Sequence, residues 1–150
     1  MSVKKEYLSP CGMYCSVCAV RVADRDNDQE LKGMLAPIFG TKPEQIACEG
    51  CQSKETFQFA KACAIRACAG EKRLESCHQC KDFPCDHFKT FPFEIAKQQM
   101  LAAIPRWKEL GTEKWVMETE KRFTCSYCGS LLHRYATVCN RCRKPTNFLK

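Results

Sequence analysis

Apolar positions between residues 92 and 122 recur with a period near 3.6 residues, which indicates helix. The first stretch carries apolar side chains at Phe93, Ile95, Ala96, Met100, Ala103 and Ile104. Pro105 is expected to break or kink this helix, and Gly111 to end the stretch that follows it. A further helix is predicted for Thr112–Arg122, with a threonine at its N-cap position. The two tryptophans of this region are expected to pack the helices against the preceding part of the chain.

The first 91 residues give shorter helical signals, because Cys, Gly, Pro and charged residues interrupt the apolar pattern. A helix is predicted for residues 29–39, ending at Gly40, and another for residues 57–69. A turn and a helix start are predicted at residues 42–44, since proline favours the first helical turn. These signals divide the chain into a cysteine-rich part, a helical connector and a C-terminal part, with bounds at 1–91, 92–122 and 123–150.

Cysteine accounts for 14 of the 150 residues, which suggests disulfides, metal sites or a redox centre. The first ten residues lack the apolar core of a signal peptide, and no run of 18 apolar residues is present. We therefore expect a cytoplasmic protein without membrane contact, in which thiols stay reduced and bind metal. A core this poor in aliphatic side chains needs metal to be stable, and a structural zinc site contributes on the order of 10 kcal/mol.

The C-terminal part contains two Cys-x-x-Cys knuckles separated by ten residues, Cys125/Cys128 and Cys139/Cys142. Each knuckle directs two sulfurs at one point, so two knuckles can supply four thiolates to one zinc ion. Gly129 follows the first knuckle, where a left-handed backbone is commonly needed. The spacing predicts a closed, structural zinc ribbon. The expected fold is therefore small, metal-stabilised and mainly α, with irregular loops and a ribbon containing short β-hairpins.

The first part holds ten more cysteines, and their grouping is less clear from the spacing. We expect one metal site to use Cys15, Cys18, Cys48 and Cys51. A second site would draw on Cys63, Cys68, Cys77, Cys80 and Cys85, and His87 can replace a thiolate there. His78 is expected to point to solvent, and Cys11 to be an extra ligand or a reactive thiol. With the ribbon, this predicts about three zinc ions per chain.

An iron–sulfur centre is the alternative for the first part. Cys11, Cys15 and Cys18 have the Cys-x-x-x-Cys-x-x-Cys spacing that radical-SAM enzymes use for a four-iron cluster. The chain is too short for the barrel that such chemistry requires, and it lacks repeated strand–helix units. A cluster without that chemistry remains open, because sets of four cysteines also hold clusters. A surplus thiol such as Cys11 could be activated by a positive neighbour, for which Arg66 is the candidate.

The formal charge of +7 is concentrated in the C-terminal part, where residues 123–150 carry five basic and no acidic residues. Arg134, Arg141, Arg143 and Lys144 are candidate contacts for nucleic acid or an acidic protein surface. Tyr127 and Tyr135 could stack on bases. The competing interpretation is that these tyrosines cover the metal site and that the positive charges offset its thiolates. Charge alone does not separate the two.

The order of the cysteine motifs resembles a known family. The motifs are Cys-Gly-x-Tyr-Cys-x-x-Cys at 11–18, Cys-x-Gly-Cys at 48–51, Cys-x-Ile-Arg-x-Cys-Ala at 63–69 and Cys-x-x-Cys-x-Asp-Phe-Pro-Cys at 77–85. They resemble the prokaryotic cysteine-rich family called domain of unknown function 3795. Its members often continue with a Leu-Gly-x-Glu-Lys-Trp-like helix and a zinc ribbon, here residues 110–115 and 125–142. The resemblance implies a zinc-binding prokaryotic protein, and it implies no particular activity.

These observations favour a zinc-binding protein whose metal sites are structural and whose role is to bind a protein or a nucleic acid. The alternative is an iron–sulfur or thiol protein that performs redox or metal-handling chemistry with its N-terminal cysteines. No Ser-His-Asp order, phosphate loop or paired-carboxylate motif is visible in the sequence. An enzymatic role therefore has the least support, although chemistry assembled by the fold stays open.

Overall fold

The computed structural model describes residues 3–148, of which about half are helical. Seven α-helices lie in this part of the chain: α1 Ala19–Arg25, α2 Gln29–Ile38, α3 Gln58–Lys61, α4 Ala64–Glu71, α5 Asp86–Lys89, α6 Glu94–Leu110 and α7 Thr112–Arg122. Four 3₁₀ helices accompany them: Lys5–Tyr7, Cys15–Val17, Pro43–Gln45 and Cys77–Gln79. The mainly α prediction is confirmed.

Helices α6 and α7 form a hairpin joined at Gly111. The break or kink predicted at Pro105 does not end the first helix, because α6 continues to Leu110. Proline removes one helical hydrogen bond, but Ile104 and Trp107 are fully buried on either side of it and hold the helix against the core. Gly111 then ends α6 with φ of 80°, as predicted.

Within the first 91 residues, α2 confirms the helix predicted for residues 29–39. The side chain of Asp28 caps it by accepting a hydrogen bond from the backbone N–H of Leu31 at 3.1 Å. The helix predicted for residues 57–69 is divided in two, because Cys63 has an extended backbone and becomes the N-cap of α4. That break places the Cys63 side chain against the principal core.

The principal core joins the first part of the chain to the α6–α7 hairpin. Its buried members are Leu8, Tyr14, Val17, Ile65, Phe88, Met100, Ile104, Trp107, Trp115, Val116 and Phe123. The ring of Trp107 is stacked between His78 and Trp115, with centroid distances of 4.5 and 4.1 Å. The edge of the Tyr14 ring meets Trp115. The tryptophans therefore pack the helices against the first part, as the sequence predicts.

The C-terminal part corrects one prediction. Within the described residues it has no strand, so the short β-hairpins predicted for the ribbon are wrong. A single antiparallel bridge closes each knuckle, Thr124 with Leu131 and Val138 with Pro145. Pro145 has no N–H to extend a ladder. The backbone N–H of Arg134, between the knuckles, donates to the carbonyl of Val17 and so pairs outside the ribbon.

Within residues 3–148, no helix has both the length and the apolar character that crossing a membrane requires.

The position of Trp107 generates a prediction about stability. Replacing Trp107 with alanine removes its stacking contacts with His78 and Trp115 and leaves a cavity. The free energy of unfolding should therefore fall by about 3–5 kcal/mol. Ile95→Ala is the matched control on the same helix, because that side chain is 64 % exposed and its loss should change stability by about 0.5 kcal/mol or less. Denaturant unfolding followed by circular dichroism measures both. Equal effects would contradict this account of the core.

Candidate metal centre

The four cysteines of the C-terminal part converge on one point. The sulfurs of Cys125 and Cys142 lie 3.6 Å apart, and those of Cys128 and Cys139 also lie 3.6 Å apart. All four sulfurs lie within 4.8 Å of one another. Four sulfurs about 2.3 Å from a zinc ion form a tetrahedron with edges of about 3.8 Å. The cluster can therefore hold one metal ion of this size.

Backbone N–H groups of the two knuckles point at their first sulfur. The N–H groups of Arg141 and Cys142 lie 3.4 and 3.5 Å from the sulfur of Cys139. In the first knuckle, backbone hydrogen bonds from Cys128 and Tyr127 lower the pKa of Cys125. Such donors stabilise a thiolate, which is the form that binds metal.

Gly129 has φ of 77°, which confirms the left-handed backbone predicted after the first knuckle. This conformation lets its N–H donate to the carbonyl of Cys125 at 2.9 Å and close the turn. The second knuckle is closed in the same way, since the N–H of Arg143 donates to the carbonyl of Cys139 at 3.0 Å. The two knuckles are therefore alike in backbone structure as well as in spacing.

The thiols of this cluster differ in pKa. Hydrogen bonding with the side chain and backbone of Ser130 lowers the pKa of Cys128 to about 6. The backbone N–H of Lys144 lowers the pKa of Cys142, but burial and the thiol of Cys125 outweigh it and raise that pKa to about 11. Thiols this close cannot all ionise without compensation, because each negative charge opposes the next. A divalent cation at the centre supplies that compensation.

Four of the N-terminal cysteines are neighbours, namely Cys15, Cys18, Cys48 and Cys51. The backbone N–H of Cys51 donates to the sulfur of Cys15 at 3.1 Å. Burial raises the pKa of Cys15 well above its usual value, and the nearby thiols of Cys18, Cys51 and Cys48 add to this rise. The structure thus brings together the four residues predicted as the first site, and their role as ligands stays a prediction.

Cys48 shares one of its two backbone donors with the pattern of the second C-terminal knuckle. Its sulfur accepts hydrogen bonds from the backbone N–H groups of Gly50 and Phe57, each at 3.4 Å. The contact with Gly50, two residues ahead, matches the contact between Cys139 and Arg141. Gly50 has φ of 121°, and a Cβ there would lie 2.6 Å from the carbonyl oxygen of Glu6. Only glycine fits this tight turn.

Cys11 lies near the first group but is poorly suited to be a reactive thiolate. Burial raises its pKa to about 11, and the neighbouring thiols of Cys63 and Cys18 contribute to the rise. This burial favours the thiol form of Cys11, and its role as an extra ligand or a reactive thiol stays a prediction. Arg66, the candidate activating group, instead donates to the carbonyl of Cys51 at 2.7 Å.

The remaining cysteines of the first part lie elsewhere. Cys68, Cys77, Cys80 and Cys85 line one cavity together with His87.

His78 does not point freely to solvent as predicted, because its half-buried ring stacks on Trp107 and contacts the hydroxyl of Ser76. All fourteen cysteines are unpaired thiols. Among residues 3–148, the C-terminal cluster is the group whose potential ligand atoms meet within 4.8 Å.

The basic residues of the C-terminal part separate into two kinds. Arg141, Arg143 and Lys144 are exposed, and the Lys144 ammonium lies 5.6 Å from the centroid of the Tyr127 ring, a residue 64 % exposed. Arg134 is only 5 % exposed. Burial therefore removes Arg134 from the surface that a nucleic acid would touch. Tyr135 is half-buried, and its hydroxyl donates to the side chain of Gln99 at 2.9 Å.

Arg134 instead ties the ribbon to the loop that carries the first cysteines. Its Nε donates to the carbonyl of Met13 at 2.9 Å, and its Nη2 donates to the carbonyl of Gly12 at 3.2 Å. The guanidinium also lies 5.1 Å from the centroid of the Phe123 ring. The sequence does not predict this role of Arg134, because no local pattern distinguishes a buried arginine from an exposed one.

The fold and this site define the class of protein: a mainly helical, cysteine-rich chain with a tetracysteine cluster that can bind metal. Residues 7–90, more than half of the chain, match the family described as Protein of unknown function (DUF3795), and the chain belongs to that family. Searches of curated proteins and of solved structures found no match.

The contacts of Arg134 lead to a prediction. Arg134→Gln leaves the carbonyls of Gly12 and Met13 without their charged donor, so the free energy of unfolding should fall by about 1.5–3 kcal/mol. Arg141→Gln is the control with the same change in charge, and it should have little effect because Arg141 is exposed. Thermal and denaturant unfolding compare the two. A silent Arg134 variant would show that the contact between ribbon and loop contributes nothing.

Proposed function

We propose that this protein binds zinc and that the zinc of its C-terminal ribbon is structural. The observation that carries this proposal is the 3.6 Å separation between paired sulfurs, close to the about 3.8 Å of a tetrahedral zinc–thiolate site. Cys125, Cys128, Cys139 and Cys142 would hold the ion. Four protein ligands leave no open coordination position, so the metal would stabilise the fold and would not act on a substrate.

We extend the proposal to the N-terminal cysteines, with about three zinc ions per chain. Support comes from the N–H donor two residues after Cys48, which matches the donor two residues after Cys139 in the ribbon. A cytoplasmic location, where thiols stay reduced, agrees with this chemistry.

An iron–sulfur cluster in the first group is the second candidate. In the described part of the chain, no three N-terminal cysteine sulfurs lie within 4.8 Å of one another as those of the ribbon do. A cluster needs a wider spacing, because its own iron and sulfide atoms fill the space between the cysteines. This candidate would make the first part an electron-transfer or redox-sensing centre.

The exposed basic residues support an interaction role for the ribbon. Arg141, Arg143 and Lys144 lie on the second knuckle and the residues that follow it, and Lys144 lies beside the exposed ring of Tyr127. An acidic partner, a nucleic-acid strand or an acidic protein surface, would neutralise these charges. An aromatic ring next to a cation also suits stacking on an unpaired base.

Metal content tests the zinc proposal. The purified protein should contain about three zinc ions and show no visible absorption, since zinc is colourless and redox-inert. Cys139→Ser should lose about one zinc, whereas Ser126→Ala, an exposed change in the other knuckle, should lose none. Elemental analysis and an absorption spectrum on anaerobically and aerobically purified protein measure this. Iron with labile sulfide would support the second candidate, and full zinc retention by Cys139→Ser would contradict the ribbon site.

Salt dependence tests a nucleic-acid partner. If three cations contact a single strand, the logarithm of the binding constant should fall against the logarithm of salt concentration with a slope of about −2. The triple change Arg141→Gln, Arg143→Gln and Lys144→Gln should abolish this dependence, and Lys114→Gln on exposed α7 surface is the control. Fluorescence anisotropy with a labelled oligonucleotide measures both. No salt-dependent binding by zinc-loaded protein would exclude nucleic acid and leave an acidic protein as the partner.

A further inference from the structure

The cavity between α4 and α5 points to a metal site separate from the other cysteines. We propose that Cys68, Cys77, Cys80 and Cys85 together bind one zinc-sized divalent ion. Cys63 is not a ligand, and His87, which lines the same cavity, is not needed because four thiolates complete a tetrahedral site. This inference rests on the proposed zinc-binding function and defines the members of one site. It revises the looser expectation that Cys63 and His87 take part.

The four cysteines come from three separate elements that meet at this cavity. Cys68 lies on α4, and Cys85 directly precedes α5. Cys77 begins the 3₁₀ helix Cys77–Gln79, and Cys80 directly follows it. The packing of small hydrophobic elements does not require a thiol from each of them. A metal ion bound by all four cysteines explains why each of the three elements presents a cysteine to the same space.

The lining of the cavity favours a soft ion. Within residues 3–148 no three of these four sulfurs lie within 4.8 Å of one another, so binding of an ion would draw them closer together. The space that can hold the centre of a water-sized sphere is about 20 Å³, which is enough for one such sphere. The other lining side chains are largely apolar: Ile65, Ala69, Leu74, Phe83 and Phe88. None of the lining side chains carries an oxygen atom. Thiolates select zinc over hard cations such as calcium or magnesium, which prefer oxygen ligands.

Lys72 supplies a positive charge at this site. Its ammonium donates to the sulfur of Cys80 at 3.5 Å and to the carboxylate of Asp82 at 3.0 Å. Lys72 lies four residues after Cys68, at the end of α4, and therefore on the same helical face. A cation at this position offsets part of the negative charge that four thiolates leave around a divalent ion.

Cys63 lies with the other group of cysteines. It does not line the cavity. Burial and then the thiols of Cys11 and Cys63 raise the pKa of Cys51, which places Cys63 beside the first group. The four cysteines that line the cavity therefore form a set separate from the other six N-terminal cysteines.

Metal counting on the full-length, zinc-loaded protein tests the site. Cys80→Ser and Cys85→Ser should each lose about one zinc, and the double variant should lose the same single ion. Cys80→Ser combined with Cys139→Ser should lose two, because the ribbon is a separate site. His87→Ala should retain all zinc. Zinc retention by both single variants, or zinc loss from His87→Ala, would overturn the proposal, whereas zinc retention by Cys139→Ser alone would overturn only the ribbon site.

Alkylation of the wild-type protein gives a second test that does not depend on variants that fold. Iodoacetamide labelling during zinc removal by a chelator, mapped by mass spectrometry, should show the four thiols becoming reactive together. Cys63 should follow a different time course, and its labelling in step with the four would overturn the assignment. Lys72→Gln should keep the ion but lose it to the chelator about two- to fivefold faster, as expected for one partly exposed charge. An unchanged rate would remove Lys72 from the site.

Discussion

The stacked rings of His78, Trp107 and Trp115 are the contact on which the rest of the structure depends. His78 lies inside the knuckle of Cys77 and Cys80, so one end of the stack holds a cysteine turn. The other end meets the edge of the Tyr14 ring, which belongs to the loop from Cys11 to Cys18. Aromatic packing of this kind contributes burial and geometry together. The α6–α7 hairpin therefore positions cysteines of both N-terminal groups.

Arg134 provides a second connection, of a different physical kind. A buried guanidinium loses solvation, and burial lowers its pKa, so the charge must be satisfied by nearby acceptors. The carbonyls of Gly12 and Met13 accept its hydrogen bonds, and no carboxylate is needed. Since these carbonyls lie between Cys11 and Cys15, the ribbon helps to fix the backbone that presents the first cysteines. The positive charges of the C-terminal part are thus not equivalent. Arg134 is buried and stabilises the fold, whereas Arg141, Arg143 and Lys144 are exposed.

The features that the sequence could predict depend on local spacing. Helix α2, the turn at Gly129 and the convergence of the four C-terminal cysteines each follow from residues close together in the chain. The failures come from tertiary contacts. Pro105 stays within α6 because buried neighbours outweigh one lost hydrogen bond, and the predicted β-hairpins are reduced to one isolated bridge in each knuckle. The stacking of His78 likewise depends on Trp107, which lies 29 positions further along the sequence.

The same distinction separates the C-terminal cluster from the N-terminal cysteines. The four ribbon sulfurs span residues 125–142, and tight knuckles closed by their own backbone hydrogen bonds direct them to one point. The N-terminal thiols span residues 11–85 and meet only after helices from distant segments have packed. Metal binding there, as we propose it, would be coupled to folding of the whole first part, since the unfolded chain has no preformed site. The ribbon can instead assemble its ligands locally and then dock through Arg134, which makes it the more independent of the two.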